Sequence, residues 1–121
     1  MSGVKSYKEL LIWQKGIKIV FLVYKLTMDF PKEEVYALTS QLKRASVSVP
    51  SNIAEGFGRQ TDKSFNHFLS ISKGSLNEIE TQLIIAKELQ FISNDALYNE
   101  IMFLIEEESK MINAFSRNLK N

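Results

Sequence analysis

Four long segments of the sequence carry apolar residues at the three- and four-residue spacing of an amphipathic helix. Only two prolines and five glycines interrupt the 121 residues, so chain breaks fall at few places. The pattern predicts helices over about 7–29, 32–57, 62–89 and 94–118. Long helices joined by short turns favour an all-α fold, an antiparallel up-down-up-down four-helix bundle formed by residues 1–121 as a single domain.

The second helix contains a proline, Pro50, within its apolar periodicity. A proline inside a helix supplies no N–H, and its ring clashes with the carbonyl four residues earlier, here that of Ser46. We therefore expect a kink near Pro50, with the helix continuing to Phe57.

Small and capping residues mark helix ends and close crossings. Thr61 and Ser93 are the expected N-caps of the third and fourth helices. Gly16 costs about 1 kcal/mol relative to alanine inside a helix, which predicts a close helix crossing at that point. Gly74 and Ser75 form a second small patch that a neighbouring backbone can approach.

The first helix has two apolar stripes, although a bundle helix needs to bury only one. We expect the broader stripe to face the core and the narrower one, almost opposite, to mediate self-association. Ile19→Asp is then expected to give smaller particles that remain helical. The broader stripe contains Leu10, Trp13, Ile17, Val20, Phe21, Tyr24 and Met28, and the narrower one Ile12, Ile19, Val23 and Leu26.

A polar stripe runs beside the apolar face of the second helix. Folding back at the turn near Gly58 is expected to bring Arg44 opposite two residues of the third helix, Ser75 and Glu78. The stripe is either a buried hydrogen-bond network that fixes helix register or a recognition groove, and we favour the network. Its members on the second helix are Gln41, Arg44, Ser48, Asn52 and Glu55.

Composition excludes several kinds of chemistry. The absence of cysteine removes disulfides, thiolate metal sites and cysteine nucleophiles, and it suits a cytoplasmic protein. The single histidine, His67, leaves no histidine pair for a metal, and no glycine-rich phosphate loop is present. We expect no catalytic residue, metal, cofactor or small-molecule substrate. Lysines interrupt the most apolar stretch, so no membrane span is expected.

Charge is distributed unevenly although the formal net charge is only +1. The first half of the chain is basic and the second half acidic, with Glu106, Glu107 and Glu108 as the densest acidic run. An assembly that gathers the basic halves could present a positive surface to phosphates, although ordinary solvated faces would look similar. The candidate phosphate contacts are Lys15, Lys18, Lys25, Lys43 and Arg59.

The sequence resembles the four-helix-bundle family encoded in intervening sequences of 23S ribosomal RNA genes, also known as the S23-type ribosomal protein family. The resemblance rests on the segments 11–15, 30–31, 36–45, 48–56, 74–75 and 78–80, and the block from Gln41 to Gly56 is the specific part, because of its in-helix proline and its Asn-Ile-Ala-Glu-Gly sequence. It implies a ring-like homopentamer and a kinship with the accessory variability proteins of diversity-generating retroelements, which bind nucleic acid. It assigns no catalytic residue.

Three functional hypotheses follow from these observations. The leading one is a non-enzymatic homo-oligomer that binds RNA or DNA as an accessory factor. The second is a protein-interaction scaffold that does not bind nucleic acid. The third is a small enzyme that uses Glu55 and Glu78, which requires the two carboxylates to face one pocket.

Overall fold

The structure of the protein, a computed structural model, describes residues 3–119. Its four α-helices are α1 (Leu11–Thr27), α2 (Leu38–Phe57), α3 (Asp62–Glu88) and α4 (Asp95–Arg117). Short 3₁₀ helices precede α1 and α2, at Tyr7–Glu9 and Lys32–Glu34 respectively. Residues 3–119 contain no β-strand, so the fold is all-helical as the periodicity predicts.

Each α-helix packs against two others, because α1 contacts α2 and α4 while α3 contacts the same two helices from the other side. This closed cycle of neighbours is the arrangement of a four-helix bundle. The α2–α3 contact is the most extensive and the α3–α4 contact the least. The fully buried side chains at the centre are contributed by all four helices: Ile19, Val23, Leu42, Val49, Ile53, Leu69, Leu76, Ile79, Leu83, Ile101 and Ile112.

Two of the helices begin later than the apolar pattern predicts. Leu10 is extended, with φ −75° and ψ 129°, and it separates the first 3₁₀ turn from α1. The segment after Pro31 forms a separate 3₁₀ turn, and α2 begins only at Leu38. The Glu34 carboxylate accepts a hydrogen bond of 3.3 Å from the Leu38 N–H, which satisfies one free donor at the start of α2.

Side-chain caps begin α3 and α4. The Thr61 hydroxyl accepts a hydrogen bond from the Ser64 N–H at 3.1 Å, in the position expected from the sequence. The cap of α4 is Asn94, whose side-chain oxygen accepts from the Leu97 N–H at 2.9 Å. The expectation for Ser93 was wrong by one residue, since Ser93 instead donates across the bundle end to Asp29.

Glycine contacts agree with the expected helix crossing at Gly16 but not with the small patch expected at Gly74. A Cβ on Gly56 would lie 2.8 Å from the Phe65 ring and 2.9 Å from Phe68, so this glycine permits the close approach of α2 and α3. Gly16 does the same for α1, because its Cβ would lie 3.4 Å from both Val49 and Pro50. Gly74 faces open space, so the small patch predicted there does not receive a neighbouring backbone. The α2 helix continues through Pro50.

Candidate nucleic-acid and subunit interfaces

The two apolar stripes of α1 exist, but their assignment to core and surface was the wrong way round. Ile19 and Val23 are fully buried, and Ile12 and Leu26 are each 3% exposed. The opposite stripe faces mainly outward, with Phe21 68% and Met28 81% exposed, although Leu10 at its start is only 5% exposed. Its middle residues, Trp13, Ile17 and Val20, are half-buried. Ile19→Asp would therefore place a carboxylate in the core, and it cannot serve as a test of a subunit interface.

Helix geometry explains the reversal. Gly16 lies on the same side of α1 as the narrow stripe, where it contacts Val49 and Pro50 of α2. Branched side chains beside a glycine allow α2 and α4 to approach closely, whereas large aromatic side chains would hold them apart. The position of Gly16 was therefore the sequence feature that could have identified the inner face.

The outward face of α1 continues onto α2. Between the two helices lies a depression of about 260 Å³ with mainly apolar walls. Tyr24, which is 41% exposed, and Val47, which is 40% exposed, extend this apolar surface. We call the whole surface the aromatic face; it comprises Trp13, Ile17, Val20, Phe21, Tyr24, Met28 and Val47.

Lysines border this face in a regular pattern. Lys18, Phe21, Lys25 and Met28 are spaced three, four and three residues apart, so they form one strip along α1, and all four are exposed. Neither lysine has an ion-pair partner within residues 3–119. We call these four residues the lysine–apolar strip. It presents cations and apolar groups together on one solvent-facing edge.

The other candidate phosphate contacts are dispersed over the surface. Lys15 pairs with Glu107 at 2.8 Å, and Arg59 pairs with Glu55 at 2.8 Å while its guanidinium lies over the Phe68 ring. Lys43 lies over Tyr24, with 4.8 Å between its ammonium and the ring centroid. Lys43 and Arg59 are near opposite ends of α2, which at about 1.5 Å per residue is roughly 30 Å long. The five cations therefore do not form one site in a single chain.

The middle of the polar stripe is a hydrogen-bonded network between α2 and α3. The hydroxyls of Ser48 and Ser75 are 2.8 Å apart, and the Asn52 amide donates to both the carbonyl and the hydroxyl of Ser48. One turn away, the Ser72 hydroxyl donates to the Val49 carbonyl at 2.8 Å. The Ser48–Ser75 and Ser72–Val49 bonds cross between the two helices and hold α3 at a fixed position along α2, while the Asn52 bonds fix the Ser48 side chain within α2.

The first part of the stripe lines an open groove of about 380 Å³ between α2 and α3. Arg44 and Glu78 both border it, and neither forms an ion pair within residues 3–119. The Gln82 amide reaches Gln41 at 3.5 Å, while its own side-chain oxygen is buried without a partner. The polar stripe thus divides into a register network and a groove with free hydrogen-bonding capacity.

The carboxylates of the enzyme hypothesis are not placed together. Glu55 pairs with Arg59 at the end of α2, whereas Glu78 borders the groove together with Arg44. His67 is exposed, and its ring meets Phe68 edge-on at 5.4 Å. Among residues 3–119, no group of three or more histidine, cysteine, aspartate or glutamate side chains could hold a metal ion. No helix in that range is long and apolar enough to cross a membrane.

The acidic run on α4 is not one solvated surface, because Glu108 is fully buried. Neither of its carboxyl oxygens has a hydrogen-bond partner among the described residues. Burial raises the pKa of this carboxyl from 4.5 to about 8, and this effect exceeds the opposing effect of the Lys15 charge, which lowers the pKa. Sequence analysis missed this residue, although Ile101, Leu104, Glu108 and Ile112 keep the three- and four-residue spacing of an inner helix face.

Comparison with known proteins places this geometry in a family. The fold defines an all-helical protein built from four α-helices. The model of the family called 23S rRNA-intervening sequence protein matches residues 8–114, and the chain belongs to that family. The family resemblance in the sequence is thereby confirmed, while kinship with the retroelement accessory proteins stays a prediction.

A solved structure shares the fold. It is the crystal structure of a protein of unknown function from the S23 ribosomal protein family of Bacteroides thetaiotaomicron. The match has a TM-score of 0.78 and 20% sequence identity, and it covers 89% of this chain and 100% of the other. No curated protein matches the chain.

Proposed function

We propose that the protein is a non-enzymatic homo-oligomer that binds RNA or DNA as an accessory factor in the cytoplasm. The observation that carries the proposal is the lysine–apolar strip on the outside of α1. Its apolar residues, Phe21 and Met28, belong to the aromatic face, and its lysines border that face. The aromatic face would join the subunits, and the strip's lysines would contact phosphates at the edge of each junction. A homopentamer is the assembly that the family resemblance implies.

Self-association rests on the exposure of the aromatic face. Phe21 and Met28 are 68% and 81% exposed. On the same side of α1, Trp13, Ile17 and Val20 line an apolar depression shared with α2. Contiguous apolar patches of this kind typically mark interaction sites on soluble proteins. A second copy of the chain is the proposed occupant, because burying this face leaves the lysines at its edge accessible.

Phosphate binding rests on the free lysines and on assembly. A chain with a net charge of +1 has little long-range attraction for nucleic acid. Association through the aromatic face would repeat Lys18 and Lys25 once in every subunit around the assembly. Several strips acting together would raise the overall affinity through multivalent contact, without any increase in the charge of one subunit.

Size measurement tests the subunit interface. Phe21→Asp combined with Met28→Asp should give a particle of lower mass in multi-angle light scattering, with helical content unchanged. Phe103→Asp combined with Ile84→Asp is the matched control, since these apolar residues are 61% and 47% exposed on α4 and α3, away from the aromatic face. Equal masses for the double variant and the control would remove this face from the proposal.

A salt series tests nucleic-acid binding. Affinity for structured RNA and duplex DNA is measured by fluorescence anisotropy, where each phosphate contact on duplex DNA contributes about −0.9 to the log–log slope. Lys18→Glu combined with Lys25→Glu should weaken binding and flatten the slope. Lys63→Glu combined with Lys110→Glu changes the charge equally on α3 and α4 and should have a smaller effect. Equal losses in both variants would contradict a specific role for the strip.

The second candidate function is a protein-interaction scaffold, and the groove between α2 and α3 favours it. Arg44, Glu78 and the buried Gln82 oxygen offer both donors and acceptors, which suits the backbone and side chains of a peptide. An absence of nucleic-acid binding even at low salt would make this the leading candidate. Arg44→Ala would then be the variant with which to map partner binding.

A further inference from the structure

A carboxyl group is inserted into the seam where α1, α2 and α4 meet. The Glu108 side chain is 0% exposed, and a Cβ added at Gly16 would lie 3.3 Å from its Oε2 atom. The same added Cβ would lie 3.4 Å from Val49 and from Pro50. The carboxyl group therefore occupies the space that the glycine leaves open, against apolar groups of α2.

The surroundings favour the neutral form of the acid. Neither carboxyl oxygen accepts a hydrogen bond from the described residues. From α2, Val49 and Pro50 face the site, and neither can be ionised. From α3, Ser72 bonds to the Val49 carbonyl, and the buried residues one turn to either side of it, Leu69 and Leu76, are not ionisable either. An ionised carboxylate in such a site would be strongly destabilised unless a cation or water reached it.

One cation lies close enough to change this balance. Lys15 on α1 is adjacent to Gly16, and its charge acts on Glu108. Its ammonium is bound to the neighbouring Glu107 at 2.8 Å, in a pair whose side chains are 22% and 42% exposed. Glu107, which holds Lys15 at the rim of the seam, is next to the buried Glu108 in sequence. Lys15 can therefore exchange the Glu107 carboxylate for that of Glu108.

We propose that Glu108 is a proton-controlled latch between α1 and α4. In its neutral form it fills the space beside Gly16 and keeps the seam closed. When it loses its proton, Lys15 moves from Glu107 to Glu108 and the seam opens to water. The latch does not involve Lys18 or Lys25, the lysines on which the proposed nucleic-acid function rests, because Glu108 faces the inner side of α1.

The direction of the pH dependence follows from the raised pKa. Between pH 4.5 and about 8 the folded protein retains a proton that the unfolded chain has released. The contribution of the neutral acid to stability is complete below pH 4.5 and is lost as pH rises to about 8. Within that interval, the unfolding equilibrium constant should increase about tenfold per pH unit from this one group.

Carboxyl ¹³C NMR of the glutamate-labelled protein tests the latch directly. One carboxyl resonance should titrate near pH 8, and it should be absent from Glu108→Gln. Lys15→Met should move that transition to higher pH, and Glu107→Gln, which frees Lys15, should move it to lower pH. In urea unfolding, the equilibrium constant of the unmodified protein should increase about tenfold per pH unit, and that of Glu108→Gln should lack this pH dependence.

The outcomes separate a latch from an inert core residue. If every glutamate titrates near 4.5 in the folded protein, the acid is not held neutral and the proposal is overturned. If one resonance titrates near 8 but neither Lys15→Met nor Glu107→Gln moves it, the exchange of Lys15 is wrong and the latch fails. Shifts in the two expected directions, together with faster hydrogen exchange of the α1 and α4 amides above about pH 8 that is absent from Glu108→Gln, would establish it. The same shifts without faster exchange would show a fixed buried acid and would overturn the latch.

Discussion

The two apolar faces of α1 are similar in hydrophobicity, but one is buried in the core and the other is largely exposed. The inner face consists of Ile12, Ile19, Val23 and Leu26 beside Gly16, and it is almost completely buried. The outer face carries Phe21, Tyr24 and Met28, and it is bordered by lysines. Shape rather than hydrophobicity therefore decides which face enters the core. Compact branched side chains next to a glycine interlock with neighbouring helices, and bulky aromatic ones remain available for a partner.

A buried charge gives the largest expected difference between the faces. Ile19→Asp should destabilise the fold by about 4 kcal/mol or more, because it removes a buried side chain and leaves a carboxylate without a partner. Phe21→Asp should change the stability of the single subunit by less than about 0.5 kcal/mol. Urea unfolding of both variants, at a concentration where the subunits are dissociated, measures the difference. Similar losses would contradict the assignment of inner and outer faces.

Crowding at the glycine gives an intermediate effect. Gly16→Val should cost about 1–3 kcal/mol, because the Cβ alone would lie 3.3–3.4 Å from atoms of three side chains. Gly74→Val is the matched control, since its Cβ would meet no atom within 4 Å. Both substitutions introduce the same residue into a helix, so the difference between their melting temperatures reports the contact. An equal shift would show that the α1 crossing is not tight.

The contact at the edge of the outer face should give the smallest effect. Lys43 lies over the Tyr24 ring, and an exposed cation–π pair of this type contributes about 0.5–1 kcal/mol. Tyr24→Leu and Lys43→Met, alone and together, form a double-mutant cycle for chemical unfolding. A coupling energy indistinguishable from zero would show that Tyr24 is available to a partner without first losing this contact.

The sequence was sufficient to predict the helical fold because its apolar periodicity is long and rarely interrupted. It did not predict where α1 and α2 begin, since the extended Leu10 and the 3₁₀ turn at Lys32–Glu34 are local departures from that periodicity. The prediction of which face of α1 is buried failed for another reason. Two stripes of similar hydrophobicity satisfy the same pattern. The position of Gly16 beside the narrower stripe, where it contacts Val49 and Pro50, is the feature that distinguishes them, and the apolar pattern does not include it.

Polar residues were harder to interpret than apolar ones. The polar stripe on α2 was identified from spacing alone, but spacing could not show that Ser48 and Asn52 pair internally while Arg44 borders an open groove. Glu108 was grouped with its acidic neighbours because they are contiguous in sequence. Adjacent helix positions point in directions about 100° apart, so contiguity says little about shared environment.

The close α2–α3 contact at Gly56 also bears on how the chain reaches its native state. These two helices adjoin in sequence, are joined by a short turn and form the most extensive contact of the fold, so little chain entropy is lost in pairing them. We expect this hairpin to be structured in the folding transition state, with α4 docking later. Substitutions at Gly56 should then slow folding, whereas those on α4 should chiefly accelerate unfolding.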